Sequence, residues 1–582
     1  MHRFEVWAPL PKQVSVRVSN TTLPMQGPDD HGWWRLDMDE AVSGIEYCYL
    51  IDDDETCYPD PRSMWQPRGV HGVSRIYDQT CFQWTDARFQ APPLASGVIY
   101  ELHIGTFTQD GTLEAAIEKL DHLVEIGITH VELMPVASFA GERGWGYDGV
   151  ALFAVYQPYG GPDALKRFVN SAHEKGLAVL LDVVYNHFGP SGNYTGKFGS
   201  YVVESHRTPW GGAVNLDEAG AYEVRNFFCD NARMWMRDYH IDGLRLDAVH
   251  GLVDRSAIHF LEQLVAEIEV LSATLGRRLV LIAESDLNDP RVVAPREAGG
   301  FGIDAQWSDD FHHALFAALS LKPLKGYYSD FGELGQLAKA LERTFVYDGI
   351  YSKYRDRVHG RPVGHLSQHR FLGYIQNHDQ VGNRAIGDRL HEIVGFDRAM
   401  IAAALVLMGP FVPLVFQGEE WAASSPFQYF AAHDDKKMAQ SVSEGRKREF
   451  AAFGWAPESI PDPESTDTFE QSRLKWDEMS VGEHAQMLSW YHDLTHLRRI
   501  SSSLNNGEPG RTRVTYSEQD RWLSMNRGNI TVSCNLGDSE RLFRVPEGSR
   551  VILCSRGVPD VIDGVVNLMG NTVMITSNGG PP

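Results

Sequence analysis

The sequence lacks the features that would place the protein in a membrane or on a nucleic acid. Its 582 residues include no run of about 18 apolar side chains, so we expect no membrane-spanning segment. Residues 1–8 lack the apolar stretch of a secretion signal, which predicts a cytoplasmic protein. The 77 acidic residues outnumber the 53 basic ones. The resulting net charge of −24 repels phosphate backbones and disfavours nucleic acid as a partner.

Cysteine is scarce as well, and no pattern of metal ligands is present. The cysteines form no CxxC pair and have no zinc-ligand spacing, which predicts free thiols in a reducing compartment. There is no HExxH motif, and the adjacent His312 and His313 point in different directions, so we expect no metal site. The six cysteines are Cys48, Cys57, Cys81, Cys229, Cys534 and Cys554.

Motifs for nucleotides and for serine hydrolases are missing or out of context. Residues 144–149 match GxGxxG, but they do not open a helix directly after a strand, and the residues within the motif are bulky and aromatic. No Walker A sequence and no GxSxG elbow occurs. We therefore expect no cofactor.

The composition that remains is that of an ordinary globular protein with a β-rich region at each end. Hydrophobic residues make up 43% and charged residues 22%, which excludes disorder as the main state. Residues 1–90 contain alternating runs such as Val14, Val16 and Val18, punctuated by Pro and Gly, which predict a small β-sandwich. The same alternation returns in residues 506–582 and predicts a second small β domain.

Residues 91–505 have a different hydrophobic pattern, in which strand-like runs alternate with amphipathic helices. Eight such repeats predict the α/β class, as an eightfold β/α barrel of the TIM type with insertions. The predicted strands begin at Val98, Thr129, Ala178, Gly243, Leu279, Ala305, Phe371 and Val412.

Acidic residues stand where the predicted barrel strands end. Asp182, Asp247 and Glu284 close apolar strand runs, and Asp379 follows the seventh strand. The chemistry of β/α barrels lies at the carboxyl ends of the strands. One acid at such a place could equally be a helix cap, but four acids on one rim indicate a functional site.

The neighbouring strand ends at Asp247 and Glu284 predict a pair of carboxyl groups that act together. A separation of about 5–5.5 Å is that of retaining glycoside hydrolysis. Arg245 lies two residues before Asp247 on the same face of the strand, where its guanidinium would keep a nucleophilic carboxylate ionised. Glu284, in contrast, needs a raised pKa so that it keeps a proton and can act as the acid.

Aromatic and imidazole side chains are frequent in the loops near these acids. Aromatic rings stack on sugar faces and imidazoles hydrogen-bond hydroxyl groups, although ordinary packing at the rim would explain any single one of them. The candidates are Tyr147, His187, Trp210, His250, Phe311, His312, His313 and His378.

Four segments in a fixed order resemble the characteristic sequence regions of the α-amylase family, glycoside hydrolase family 13. They fall at predicted strands three, four, five and seven, which is the family order. The segments are 182–187, 243–247, 283–284 and 377–379.

This resemblance implies a role for each matching residue. Asp247 corresponds to the nucleophile and Glu284 to the acid and base. Asp379 corresponds to the acid that binds and distorts the sugar, and Arg245 to the arginine beside the nucleophile. The remaining implied sugar contacts are His187 and His378, which hold hydroxyl groups, and Tyr147, which stacks on the ring.

The strings 100–108, 245–250, 284–290, 309–313 and 378–383 resemble the malto-oligosyltrehalose trehalohydrolase branch of the family. Residues 1–90, with the string 6–9, resemble the carbohydrate-binding-like module of branching and debranching enzymes. This implies hydrolysis of the α-1,4 bond next to the terminal trehalose unit of malto-oligosyltrehalose, with malto-oligosyltrehalose synthase as functional partner. The glucan site would then be lined by Arg245, His250, Asp309, Asp310, Phe311, His312, His313, His378, Gln380 and Asn383. Weaker candidates for contact with the leaving trehalose are Trp210, Tyr354 and Arg355.

Two alternatives remain open at this point. A branching or debranching enzyme would use the same barrel, although Ser285 follows Glu284 where branching enzymes typically carry a second glutamate. A non-catalytic glucan-binding protein would be expected to lack one of the acids Asp247, Glu284 and Asp379, and all three are present.

Overall fold

A computed structural model of the chain describes residues 2–320, 324–452 and 455–579, and within these ranges eight parallel strands form a closed barrel. Each strand is buried along its length, as the apolar runs predict for strands covered on both faces. In barrel order the strands are Ile99–Leu102, His130–Leu133, Ala178–Val183, Gly243–Leu246, Val280–Ala283, Ala305–Trp307, Phe371–Gly373 and Val412–Phe416. This confirms the predicted β/α barrel.

The helices that follow the strands pack their apolar stripes on the outside of the barrel. The helix Gly161–Glu174, for example, buries the predicted stripe of Leu165, Phe168, Val169 and Ala172. The α-helices described are Ile104–Phe107, Leu113–Ile117, Leu120–Glu125, Gly161–Glu174, Thr195–Phe198, Ala221–Asp238, Phe260–Leu275, Asp309–Leu319, Leu334–Arg343, His378–Gly382, Leu390–Val394, Phe396–Leu407, Lys436–Ala452, Thr466–Gln471 and Gly482–Ile500.

Short antiparallel strand pairs lie in the long loops at the carboxyl end of the barrel. Three pairs are described: Ala137–Phe139 with Gly149–Val155, Val202–Thr208 with Gly211–Val214, and Ile350–Ser352 with Arg357–His359. They stiffen the segments that surround the mouth of the barrel.

The N-terminal region forms two antiparallel sheets, as predicted for a small β domain. One sheet pairs the strands His2–Trp7 and Trp33–Met38, and the other is five-stranded. The strands of the second sheet are Val14–Val18, Thr21–Pro24, Glu46–Ile51, Asp54–Tyr58 and Ser74–Arg75.

The expectation of free thiols is wrong for two cysteines of this domain. Cys48 and Cys57 lie on the adjacent strands Glu46–Ile51 and Asp54–Tyr58, with their Cα atoms 5.3 Å apart, and form a disulfide. The turn between the strands brings the two residues together, a proximity that the sequence spacing alone did not indicate. Cys81, Cys229, Cys534 and Cys554 are free.

The segment that leads from this domain into the barrel is held by a buried aspartate. Asp86 lies 2.7 Å from Nδ1 of His173 and 2.7 Å from Nδ1 of His240, while Nε2 of His173 lies 2.9 Å from Asp242. The ring of Phe89 stacks on His173 at 4.0 Å. Because Asp242 immediately precedes the fourth strand, this cluster, which we call the Asp86 clip, lies at the amino-terminal end of the barrel.

The C-terminal region forms a five-stranded antiparallel sheet and a two-stranded one, which agrees with a second small β domain. Its strands are Thr512–Ser517, Trp522–Arg527, Ile530–Asn535, Arg541–Arg544, Ser549–Cys554, Val565–Leu568 and Thr572–Asn578. Among all described residues, no helix is both long enough and apolar enough to cross a bilayer.

Candidate active site

A cavity of about 440 Å³ opens at the carboxyl ends of the barrel strands, a volume in the usual range for a small-molecule site. Nine of the predicted site residues line it, so the fold brings them together from loops far apart in sequence. They are Tyr147, His187, Trp210, Asp247, His250, Glu284, His378, Asp379 and Asn383.

Arg245 organises the ionic network beneath the cavity. It is fully buried, and its Nη1 donates to Asp182 at 2.8 Å and to Asp247 Oδ1 at 2.8 Å. The Trp307 ring lies 4.3 Å from the guanidinium carbon. Asn186 donates from Nδ2 to Asp247 Oδ2 at 2.9 Å. Both oxygens of Asp247 therefore accept hydrogen bonds, which fix the carboxylate in one orientation.

Glu284 shares the same guanidinium. Its Oε2 lies 3.1 Å from Arg245 Nη2 and accepts a hydrogen bond from Ala248 N at 2.7 Å. Ala248 adopts a φ of +37°, a left-handed conformation that L residues rarely adopt, directly after Asp247. Burial raises the pKa of Glu284 well above its usual value, and the charges of Asp247 and Asp379 act in the same direction, against Arg245.

His378 connects the first barrel strand to the cavity. Its Nδ1 lies 2.5 Å from Glu101 Oε1, and its backbone N donates to Glu101 Oε2 at 2.8 Å. Its Nε2 lies 2.7 Å from the Tyr147 hydroxyl and 3.5 Å from Asp379 Oδ2. Burial lowers the pKa of His378, but Asp379 and Glu101 outweigh it and raise the pKa to about 9. The side chain is therefore an imidazolium at neutral pH.

An aromatic wall borders the cavity on the side of His187. The rings of His187 and Trp210 are parallel, with centroids 5.2 Å apart. Trp210 is 43% exposed, so it offers a free face at the rim. A Cβ at Gly251 would lie only 2.9 Å from the Trp210 ring, which explains why a glycine follows His250. Such a free aromatic face suits stacking on a sugar ring.

The string from Asp309 to Phe311 does not line the cavity, which corrects the expectation of sugar contact. These residues open the helix Asp309–Leu319, in which Asp310 and Phe311 are buried and Asp309 is half-buried. Asp310 Oδ2 accepts from the backbone N of Val346 and of Tyr347, each at 2.8 Å. Asp309 accepts from the Tyr374 hydroxyl. Phe311 is fully buried, with the nearest aromatic ring, that of Phe411, at 4.8 Å.

His312, His313 and Gln380 also lie outside the cavity lining. His312 Nε2 is 2.7 Å from the Tyr328 hydroxyl, which donates to Gln380 Oε1 at 3.0 Å. The His313 ring packs 5.0 Å from that of Tyr327. These residues form a layer that supports the loop between the sixth and seventh strands, so the resemblance located them near the site but not in contact with it.

Tyr354 and Arg355 lie at the tip of the hairpin formed by Ile350–Ser352 and Arg357–His359. Arg355 Nη2 is 3.0 Å from Asp286 Oδ2, two residues beyond Glu284, and Tyr354 is 53% exposed. The hairpin thus stands outside the cavity on its Glu284 side. Asn383, in contrast to these two residues, lines the cavity, and its Nδ2 donates a hydrogen bond to Asp379 Oδ1 at 3.0 Å.

Sequence reasoning missed several polar residues of the site. Glu101 lies within an apolar strand run rather than at its end, and its charge inside such a run was the available signal. Asp148 and His433 also line the cavity; Asp148 directly follows the candidate Tyr147, whereas His433 belongs to a loop without a distinctive pattern. Within the described ranges, no group of His, Cys, Asp and Glu side chains is arranged to hold a metal ion.

The sequence and the structure are similar to those of known carbohydrate-active proteins. The family model of the alpha amylase catalytic domain matches residues 77–208. A malto-oligosyltrehalose trehalohydrolase from Rhizobium sp. (strain M-11) is 47% identical, with 92% of this chain and 91% of that protein covered. The chain belongs to the malto-oligosyltrehalose trehalohydrolase family.

Two further proteins extend the comparison. A trehalohydrolase from Mycobacterium tuberculosis is 48% identical over 92% of this chain and 93% of its own length. A 1.4 Å crystal structure of a candidate alpha amylase from Salmonella typhimurium superposes with a TM-score of 0.90, at 34% identity and over 99% and 97% of the two chains. Both sequence relatives have the name of the trehalohydrolase family rather than that of branching enzymes, so the branching alternative is not favoured.

Proposed function

We propose that this trehalohydrolase-family protein hydrolyses the α-1,4-glucosidic bond next to the terminal trehalose of malto-oligosyltrehalose, with retention of configuration. The observation that best supports this proposal is that Arg245 contacts the carboxyl groups of both Asp247 and Glu284. Two carboxyls within reach of one guanidinium fit the short separation of retaining enzymes, about 5–5.5 Å, better than the wider pair of inverting ones.

Glu284 is proposed as the acid that begins the reaction. Burial holds a proton on its carboxyl because the raised pKa disfavours the charged form. The proton passes to the bridging oxygen as the bond to the anomeric carbon breaks, and free trehalose leaves. The resulting Glu284 carboxylate then takes a proton from water in the second step.

Asp247 is proposed as the nucleophile. Its carboxylate forms a bond to the anomeric carbon, which gives a covalent glycosyl-enzyme intermediate. Water attacks the same carbon, Glu284 accepts its proton, and the bond to Asp247 breaks to release the shortened maltodextrin. Arg245 and Asn186 hold the attacking carboxylate throughout, so little reorientation is needed.

The sugar whose anomeric carbon reacts is proposed to lie between Tyr147, His187, His378 and Asp379, all on the cavity wall. The carboxylate of Asp379 is an acceptor for sugar hydroxyl groups, while the contacts of His378 with Glu101 and Tyr147 fix its ring at the cavity wall. Donors and acceptors fixed in this way favour a distorted ring with positive charge near the anomeric carbon.

The leaving trehalose is proposed to lie on the Glu284 side of the cavity. Trp210 offers an exposed ring there, and His250 lines the same side. The Arg355–Asp286 ion pair and Tyr354 stand farther out on this side. A site built from fixed polar groups discriminates against a substrate that leaves them unpaired, as plain maltodextrin would. Malto-oligosyltrehalose synthase, which makes the trehalose end, is the proposed source of substrate.

Product analysis tests the proposal. The protein is incubated with malto-oligosyltrehalose and with maltodextrin of equal length, and products are separated by ion chromatography. We expect free trehalose from the first and little cleavage of the second, and Asp247→Asn should form no product while keeping the wild-type circular dichroism spectrum. New α-1,6 linkages with unchanged reducing ends would instead indicate branching, and full turnover by Asp247→Asn would refute the mechanism.

A further inference from the structure

A loop of the N-terminal β domain reaches the rim of the catalytic cavity. His71, in the loop between the strands Asp54–Tyr58 and Ser74–Arg75, places Nδ1 2.7 Å from the Tyr194 hydroxyl and Nε2 3.2 Å from Ser191 Oγ. Its Nε2 also lies 3.6 Å from Asp434 Oδ2. Ser191 and Tyr194 follow the third barrel strand, whereas Asp434 follows the eighth. One imidazole therefore hydrogen-bonds to the loop after the third strand and contacts the loop after the eighth, which the barrel itself leaves separate.

The loop is close-packed against the barrel rather than resting on its surface. Val70 is 3% exposed, and a Cβ at Gly192 would lie only 2.4 Å from Val70 Cγ2. Gly192 also has a φ of +85°, which other residues rarely adopt. The glycine thus lets Val70 anchor the loop, and the anchor sets the position of His71.

The two loops that His71 contacts both contribute residues to the cavity wall. Ser191 itself lines the cavity, and so does His433, which directly precedes Asp434. His433 Nδ1 lies 2.7 Å from Glu464 Oε1, and its Nε2 faces Asp148 Oδ2 at 3.8 Å. The gap between His433 and Asp148 is too long for a direct hydrogen bond, and a sugar hydroxyl group placed near it would have two polar groups within reach.

In the proposed function, this wall is assigned to the side of the cavity away from the departing trehalose. Glu284 marks the leaving side because it protonates the bridging oxygen. Tyr147 and Asp379 hold the reacting sugar in the proposed function, and Asp148 follows Tyr147 in the chain. In this scheme, the glucose units that extend from the reacting sugar, which form the maltodextrin part of the substrate, run toward Asp148 and His433.

We infer that the N-terminal domain is part of the substrate site, with His71 as a positioning residue that holds the wall for the maltodextrin part. The inference rests on the proposed function and deepens it, because it assigns to this domain the preference for substrates with a long glucan part. His71 touches no substrate in this scheme. It fixes Ser191 and the Asp434 loop so that His433 and Asp148 face the second and third glucose units.

The test compares substrates that differ only in the glucan part. The kcat/KM of wild type and His71→Ala is measured on trehalose carrying one glucose and on trehalose carrying four. We expect His71→Ala to lower kcat/KM for the longer substrate about 3- to 10-fold, through KM, which is the effect of a lost hydrogen bond. For the shorter substrate we expect no change. His71→Gln, which can still hydrogen-bond to Ser191 or Tyr194, should recover part of the loss.

A variant in the same loop provides the control. Arg68 pairs with Glu46 of its own domain at 3.1 Å, so Arg68→Ala should change neither substrate's kcat/KM. If His71→Ala changes kcat/KM equally for both substrates, or for neither, the inference is wrong. The proposed function is unaffected by that result as long as the wild type hydrolyses the substrates. Failure of the wild type to hydrolyse either substrate would instead refute the proposed function.

Discussion

Replacing Glu101 by Gln tests whether the charge of a residue outside the cavity lining maintains the reacting sugar's binding site. Glu101 is 1% exposed, and its two oxygens bond to the ring and the backbone N of His378. Gln keeps the size of the side chain but removes the charge that holds the imidazolium. Burial lowers the pKa of His378, and Asp379 and Glu101 together raise it, so we expect Glu101→Gln to lower this pKa and leave His378 less protonated at pH 8 than in the wild type.

The magnitude follows from the kind of contact that is lost. A hydrogen bond between charged groups contributes about 1.5–3 kcal/mol. At 1.36 kcal/mol per factor of ten, that loss corresponds to a fall in kcat/KM of about 10- to 150-fold. Lower pH returns the proton to His378, so the ratio of variant to wild-type kcat/KM should rise between pH 8 and pH 6.

Glu132 provides a matched control for this prediction. It is the register partner of Glu101 on the next barrel strand and is equally buried. Burial, followed by the charges of Glu101 and Asp182, raises its pKa well above the usual value, which favours the neutral carboxyl. Glu132→Gln should therefore keep kcat/KM within about threefold of wild type, a change below 1 kcal/mol. Equal losses in the two variants, or a Glu101→Gln ratio independent of pH, would refute the reasoning.

Three further predictions concern stability and the corrected site residues. The folded-state pKa of His378, about 9, exceeds the unfolded value of 6.5, so protonation of His378 stabilises the fold fully below pH 6.5, and this stabilisation is lost toward pH 9. The free energy of unfolding measured in urea should therefore fall by about 2 kcal/mol from pH 7 to pH 9 in the wild type but not in His378→Asn. The same pH dependence in both proteins would contradict this prediction. Asp86→Asn, which breaks a buried ion cluster, should lower the free energy of unfolding by about 3 kcal/mol while the folded fraction keeps its kcat, whereas an unchanged urea midpoint would count against the Asp86 clip. Phe311→Leu should cost about 1 kcal/mol of stability and leave KM unchanged, since Phe311 packs near Phe411 outside the cavity, and a large KM increase would restore the original expectation of sugar contact.

The barrel and the positions of the proposed catalytic acids were predictable because both follow local rules. Apolar runs of strand length mark strands buried on both faces, and the carboxyl ends of those strands meet at one rim. Asp247, Glu284 and Asp379 therefore came together once the strands were recognised. Arg245 followed from the alternation of side chains along a strand.

Other features depend on contacts between residues distant in sequence. His71 bonds to Ser191 and Tyr194 more than a hundred positions later, and no local pattern marks such a pair. The expected sugar contact of Phe311 was not found for another reason. A resemblance between strings indicates that residues belong to the same helix or strand, but the direction of the helix decides which of its residues face the cavity. The disulfide of Cys48 depended likewise on a strand pairing that spacing did not reveal.

The Asp86 clip and the His71 loop hold the N-terminal domain at opposite ends of the barrel. Asp86 is bound beside Asp242 before the fourth strand, and His71 is bound beyond the third and eighth strands. A body fastened at two such points resists rotation about either one. Chimeras that exchange this domain between relatives would therefore need both attachment points transferred together, and a barrel expressed without the domain would begin folding with its substrate-facing loops unanchored.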